Sequence, residues 1–325
     1  MLQKIKLFGV AVMAAAIWSG AQAQSLDLNY VFRPNIKIGA EYTPEQSIQN
    51  SGDSLKFGLI RGNVQLVIPL KSRVQVSFPN LDVKAKQIFW NINAGYRQPQ
   101  LGSLVQDQRH LYSFSTGITG VKVGLRSSFW FYNVSVGLSE SENTLEKWKP
   151  TAGGFLAKIH VHNLKTAYVY GIGAFYSNGA FVPAPIFGVV KRFSKKSNFA
   201  LILPAQIRYS YAPSKSVRLS WQISPSGLRA GFATAPDSLF GRKSERILFN
   251  YSQLRGSMGI NIRFSKQAQL QLEGGWATRR RLAFADADRN TIHKYKINAG
   301  AYVGATLQLS LGKSLLDSQN FGFDL

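Results

Sequence analysis

Leu254-Arg-Gly-Ser-Met-Gly-Ile-Asn-Ile-Arg-Phe264, then Ser265-Lys266, then Gln267-Ala-Gln-Leu-Gln-Leu-Glu-Gly-Gly-Trp276, is the stretch whose reading decides the architecture. Leu254, Gly256, Met258, Ile260, Ile262 and Phe264 fall on one parity, and Arg255, Ser257, Asn261 and Arg263 on the other. Successive side chains of a β-strand point to opposite faces, so a period of two gives one apolar and one polar face. After the turn at Ser265-Lys266, Ala268, Leu270, Leu272, Gly274 and Trp276 alternate with Gln269, Gln271 and Glu273. Two such runs joined by a tight turn make an antiparallel hairpin. A Leu/Ile/Phe face backed by Arg, Asn and Gln suits a sheet with lipid on one side and water on the other.

The same alternation recurs along most of the chain. Ile60, Gly62, Val64, Leu66 and Ile68 oppose Arg61, Asn63 and Gln65, and Ile88, Trp90, Ile92, Ala94 and Tyr96 oppose Asn91 and Asn93. Leu201, Leu203, Ala205, Ile207, Tyr209 and Tyr211 read as one strand whose other face carries Gln206, Arg208 and Ser210. The last strand reads as Tyr295 to Leu309 facing lipid, with Lys294, Lys296, Asn298, Thr306 and Gln308 turned inward. Aromatic pairs such as Trp130 with Tyr132 and Tyr168 with Tyr170 sit near strand ends, as interfacial girdles do.

Connections divide into short turns and long polar loops. The turns are placed at Pro69 to Ser72, Leu125 to Ser127, His162 to Lys165, Ser194 to Ser197 and Ser265 to Lys266. The loops are placed at Pro44 to Ser54, Gln98 to His110, Ser139 to Pro150, Ala235 to Glu245 and Arg281 to Thr291. Ser224-Pro-Ser-Gly227 reads either as a turn or as a kink inside one long strand. The expected fold is all-β: a single transmembrane antiparallel up-and-down β-barrel of 12 to 14 strands over residues 24–325. A soluble exported β-sandwich is the competing architecture, but it seldom strings so many strands in tandem with aromatic ends and one-sided loops.

Residues 1–23 read as a secretory signal peptide. Lys4 and Lys6 form the basic start, Leu7 to Trp18 the apolar core, and Ala21-Gln-Ala23 the small-residue cleavage site. The chain has no cysteine, which excludes disulfides, thiolate catalysis and zinc-thiolate sites. Beyond Gln24 no apolar run reaches the roughly 18 residues of a spanning helix. Two of the 39 Lys+Arg fall in the signal segment, leaving 37 against 16 Asp+Glu, a formal +21. Such a balance attracts anions. In an exported protein it points away from nucleic acid and toward lipopolysaccharide phosphates, outer-membrane lipid or small anionic solutes. Taken at face value, the alternation turns Lys37, Arg61, Lys158, Arg208, Arg218, Arg255, Arg263, Lys294 and Lys296 into the lumen, against Glu41 and Glu273. Basic rings in a pore favour anions.

Several stretches resemble a family of uncharacterised outer-membrane β-barrel proteins of Bacteroidota, known as a domain of unknown function. They are Glu41-Tyr-Thr-Pro44, Pro183-Ala-Pro-Ile-Phe-Gly-Val-Val-Lys-Arg-Phe193 followed by Leu203-Pro204, and Arg281-Leu-Ala-Phe-Ala-Asp-Ala-Asp-Arg-Asn290. The resemblance implies a barrel in the bacterial outer membrane and carries no catalytic residues. Tyr302-x-Gly304-x-x-Leu307-x-Leu309 likewise resembles the terminal-strand signal read by the barrel-assembly machinery.

Chemistry is sparse. A barrel-embedded lipid hydrolase or protease needs a base, and only His110, His160, His162 and His293 are present. His160 and His162 share a strand face without an acidic neighbour, so barrel-lining side chains are a better reading than a metal site. Asp286-x-Asp288-x-Asn290 begins like a calcium loop, then places Thr291 where glycine is needed and Ile297 where a bidentate glutamate belongs. No metal, cofactor or catalytic residue is assigned. The expected function is a non-enzymatic barrel forming an anion-preferring channel for small solutes, with a structural or interaction barrel as the alternative. Lys191-Arg192, Lys195-Lys196 and Arg279-Arg-Arg281 are expected at membrane interfaces.

Overall fold

A computed structural model describes residues 34–49, 55–77, 82–100, 110–123, 128–140, 149–163, 165–177, 180–232, 247–286 and 290–311. Residues 1–23, the expected signal peptide, lie outside them, as do 50–54, 101–109, 141–148, 235–245 and 287–289 of the expected long loops, whereas 44–47 and 281–285, expected in loops, lie in strands. The strands are β1 (Asn35–Ser47), β2 (Lys56–Ser77), β3 (Asp82–Gln100), β4 (Leu111–Val123) and β5 (Ser128–Glu140). They continue with β6 (Lys149–Asn163), β7 (Thr166–Ser177), β8 (Ala180–Arg192), β9 (Ser197–Leu203) and β10 (Gln206–Tyr211). The last are β11 (Val217–Phe232), β12 (Ile247–Arg263), β13 (Ala268–Ala285), β14 (Thr291–Ile297) and β15 (Gly300–Ser310). Each pairs antiparallel with its neighbour in sequence, except that β14 and β15 are consecutive halves of one strand against β13. β15 then pairs with β1, Asn35 opposite Ser310, which closes a barrel of 14 strands.

Closure pairs the first strand with the last and so leaves no free terminal edge, which is what lets strands cross hydrocarbon. The exterior is correspondingly apolar: Val134, Ile172, Met258 and Val303 are all more than half exposed. Residues 34 and 311 lie at the same end, here called the lower end, where the turns are short. The 12- to 14-strand expectation is met at its upper bound. One expected turn is absent: β2 runs through Pro69 to Ser72 with a register shift between Pro69 and Lys71. Of the two readings of Ser224-Pro-Ser-Gly227, the one inside a long strand holds, since it lies within β11, paired along its length with β12.

A larger difference lies in the stretch read as one strand from Leu201 to Tyr211. It is two short strands, β9 and β10, folded back at Pro204-Ala205 with Ile202 opposite Gln206. Directly opposed residues share a face, and here their numbers have the same parity. The alternation therefore passes through the turn unbroken and hides it.

The interior is filled in sectors. In the lower half, β4 to β9 contribute an apolar cluster that includes Phe129, Phe131, Phe155, Ile159, Ile186 and Ile202. In the upper half, Phe57, Leu59, Leu111, Leu228, Phe249, Tyr251, Leu282 and Phe284 form a second cluster across the barrel. β5 and β11, six strands apart around the wall, approach within 8 Å between Cα atoms. That is closer than the roughly 10 Å between packed sheets, so the barrel is flattened and only small side chains fit between these walls. The inner face of β5 offers such side chains in Ser135 and Gly137.

Candidate functional site

The polar lining begins where the apolar clusters end. In the lower half, the sector from β10 round to β3 buries Asn35, Gln87, Asn91, Arg208, Gln222, Asn261, Gln269, Gln271 and Gln308. The lower lumen is thus amphipathic by sector, with carbon on the β4–β9 side and amides and guanidinium groups on the other.

At mid-height a buried ionic network spans the lumen. Arg255 on β12 donates from Nη1 to Glu41 Oε2 at 2.6 Å, and Nη2 donates to the other carboxylate oxygen. This two-point fork is the strong geometry for guanidinium and carboxylate. Arg61 on β2 stands 3.8 Å from the same carboxylate through Nε, and its Nη1 donates to Ser226 Oγ on β11 at 2.9 Å. β2 and β11 are five strands apart, so that hydrogen bond crosses the bore. Arg97 on β3 adds its charge to the field at Glu41. Three arginines therefore converge on one carboxylate.

The network extends on both sides. The Arg255 guanidinium lies 4.5 Å from the centre of the Tyr302 ring, whose hydroxyl donates to Glu273 Oε1 at 2.8 Å. The Gln253 amide is within hydrogen-bond reach of both Tyr251 and Arg255. Tyr251 in turn accepts from Arg280 Nε at 2.9 Å. Arg280 also donates to the Asn298 carbonyl at 3.2 Å and the Phe57 carbonyl at 3.3 Å.

Of the nine cations expected in the lumen, Lys37, Arg61, Arg208, Arg218, Arg255 and Arg263 belong to the inward parity of their strands. Lys158, Lys294 and Lys296 do not. Lys158 shares the outer face with Trp130 and Tyr170, its Nζ 5.6 and 5.9 Å from their ring centres. That is a girdle contact, the ammonium drawn to the negative faces of interfacial rings. Lys294 and Lys296 are exposed, while Tyr295 and Ile297 turn inward against the upper cluster. The cause is a dislocation. Arg279 has φ 48 and forms a bulge against β12 between Ser252 and Leu254, and the final strand breaks at Asn298–Ala299 beside it. Parity flips above both points.

The same bulge corrects the basic run at Arg279 to Arg281. Arg279 and Arg281 stay outside, but Arg280 is 1 % exposed within the barrel. Among the described residues, Arg97 and Arg280 are inward arginines that sequence reading missed. Arg97 was legible, since it continues the parity of Asn91 and Asn93. Arg280 was not, because nothing in the local sequence announces a bulge.

The histidines form no catalytic arrangement among the described residues. His160, His162 and His293 are exposed, and His110 Nδ1 lies 2.7 Å from Tyr96 Oη. His160 and His162 therefore belong to the outer face instead of lining the barrel. Asp286 accepts from the Asn290 backbone at 2.7 Å and its side-chain amide at 3.2 Å, closing its own turn. No group of three potential metal ligands occurs among the described residues.

Among solved structures, an outer membrane channel from Pseudomonas putida F1 aligns at 9% identity and TM-score 0.39, over 86% of this chain and 96% of that one. The transport unit of the Escherichia coli autotransporter AIDA-I aligns at 11% identity and TM-score 0.34, over 95% and 99%. The P. putida toluene transporter TodX aligns at 8% and 0.27, over 86% and 90%. No curated protein matches. Residues 130–311, from β5 to the end of the final strand, match the family described as a domain of unknown function, DUF6268, and the chain belongs to that family.

Proposed function

We propose that this protein is a non-enzymatic outer-membrane channel that favours small anionic solutes and is closed at rest. The observation that carries this reading is the excess of buried inward cations over the inward carboxylates Glu41 and Glu273. Glu41 faces Arg61, Arg97 and Arg255, so the network retains positive charge at mid-height. A low-dielectric wall holding such charge concentrates anions and repels cations. The upper apolar cluster supplies the closure. Phe57, Phe249 and Phe284 fill the bore above the network, and conduction requires them to move.

The exterior supports an outer-membrane location. Apolar side chains cover the outward faces, with Trp130, Tyr168 and Tyr170 toward the lower end and Tyr42, Tyr112 and Tyr176 toward the upper. Arg281 and Lys296 are directly opposed on the outer face near the upper rim. Like charges so placed repel unless an anion lies between them, and lipopolysaccharide phosphate is the anion that rim would meet. Insertion would use the barrel-assembly machinery acting on the final strand.

Planar-bilayer recording of the purified barrel tests the channel reading. Wild type should conduct rarely, and the triple variant Phe57→Ala, Phe249→Ala, Phe284→Ala should conduct steadily with a reversal potential on the anion side. Arg255→Gln in that background should move the reversal potential toward zero. Cation preference would reject the proposal. Silence of the folded triple variant would favour the structural barrel, the second reading, which the bore-crossing bond from Arg61 to Ser226 supports.

A further inference from the structure

The barrel wall has a notch. β9 and β10 hold 7 and 6 residues, between neighbours of 13 and 16. β9 pairs with β8 only from Phe187 to Arg192, and β10 with β11 only from Leu219 to Ile223. Above that level, Ala180–Ile186 pairs with β7 alone and Ser224–Phe232 with β12 alone among the described residues. Two missing strands leave three inter-strand spacings between β8 and β11, about 14 Å. The sill is the Pro204-Ala205 turn.

Two further observations point to an occupant. On the inner face, Phe175 and Val182 are 41% and 39% exposed, whereas Val169 and Ile186 below them on the same strands are nearly sealed. An apolar inner surface is therefore uncovered at the notch. At the sill, the Gln206 side chain is 3% exposed, faces inward opposite Ile202, and has no hydrogen-bond partner for either its oxygen or its nitrogen. A buried amide left unsatisfied at both ends calls for a missing partner. Arg208 lies two residues down the same face, about 7 Å away.

We infer that the notch is a lateral binding site for a single-chain amphiphile with an anionic head, an alkyl carboxylate. Its chain lies on Phe175 and Val182, and its carboxylate accepts from the Gln206 amide and is attracted by Arg208. The charge at the sill selects the sign of the head. The inference rests on the anion-channel reading and names its substrate class.

Equilibrium dialysis of the full barrel in dodecyl maltoside, with radiolabelled dodecanoate as probe, tests it. Dodecanoate should bind saturably and at least about tenfold more tightly than dodecanol or dodecyltrimethylammonium, a tenfold step being the scale of one charge-assisted hydrogen bond. Gln206→Leu, close in size, should weaken dodecanoate about tenfold while raising the urea midpoint, because it removes an orphaned buried amide. A residue with a purely structural role would not separate the two. Val182→Asp should abolish binding of the chain. Equal affinity for the three probes, or unchanged dodecanoate binding in folded Gln206→Leu, overturns the site. Chloride selectivity recorded on the same preparations separates the two ideas. Intact selectivity with no dodecanoate binding overturns only the notch, and selective dodecanoate binding without anion preference overturns only the channel.

Discussion

Arg279 holds φ 48, a left-handed conformation that costs a residue with a Cβ about 1–2 kcal/mol, and this one residue decides which way Arg280 points. Turned inward, Arg280 meets the Phe57 and Asn298 carbonyls and the Tyr251 hydroxyl. Asn298 lies in the break of the final strand, where the ladder no longer serves every carbonyl. The guanidinium fork fits three diverging acceptors as an ammonium cannot. Arg280→Met should therefore destabilise the barrel by about 3 kcal/mol, since buried acceptors lose their donors together. Arg280→Lys should restore only part of this. Arg279→Gly should do the opposite and gain about 1 kcal/mol by removing the backbone cost. Urea titration of the folded fraction in lipid vesicles reads all three; an Arg280→Met barrel as stable as wild type would refute the clamp.

The strand is the scale at which sequence and structure agree and then part. Period-two alternation was enough to place the polar sector of the lower lumen, and Arg255 and Arg263 alternate inward along β12 as their spacing requires. It failed wherever the chain dislocates without changing composition. The bulge at Arg279 and the break at Asn298–Ala299 shift parity by one residue, and a slip of one exchanges the two faces. Lys294 and Lys296 leave the lumen for that reason, and Tyr295 and Ile297 enter it. Lys158 was misplaced by a different route: Phe155, Ala157, Ile159 and Val161 fill the inner face of β6 with apolar groups, reversing the usual polar-inside rule. A barrel with a greasy lower sector carries no local mark of which face is inner. The chain's lack of cysteine makes the assignment testable. Single cysteines at Lys294 and Lys296 should react rapidly with a charged maleimide in the folded barrel, and those at Tyr295 and Ile297 should be protected. The reverse pattern would return the two lysines to the lumen.

Across the whole molecule, the formal +23 divides into populations with different consequences. Outward cations such as Lys158, Arg281 and Lys296 sit at the rims, where salt screens them. Arg61, Arg208 and Arg255 are held inside, Arg61 and Arg255 by the shared Glu41 carboxylate. Glu41 has to satisfy more positive charge than it carries, so the network does not neutralise itself. Breaking a buried pair by removing one partner costs about 3–5 kcal/mol. Glu41→Gln should therefore destabilise the barrel while strengthening anion preference, a combination that simple unfolding does not give. Ionic strength then separates a field effect from a steric one. The Debye length falls from about 10 Å at 0.1 M salt to about 3 Å at 1 M. If the charge of Arg61, Arg97 and Arg255 acts through solvent in an opened bore, the anion-to-cation permeability ratio of the Phe57, Phe249, Phe284 triple alanine variant should fall toward one over that range. A ratio that stays constant would mean that anions are selected by direct contact with a dehydrated guanidinium, because only a charge in contact with the ion escapes the screening of the solution between them.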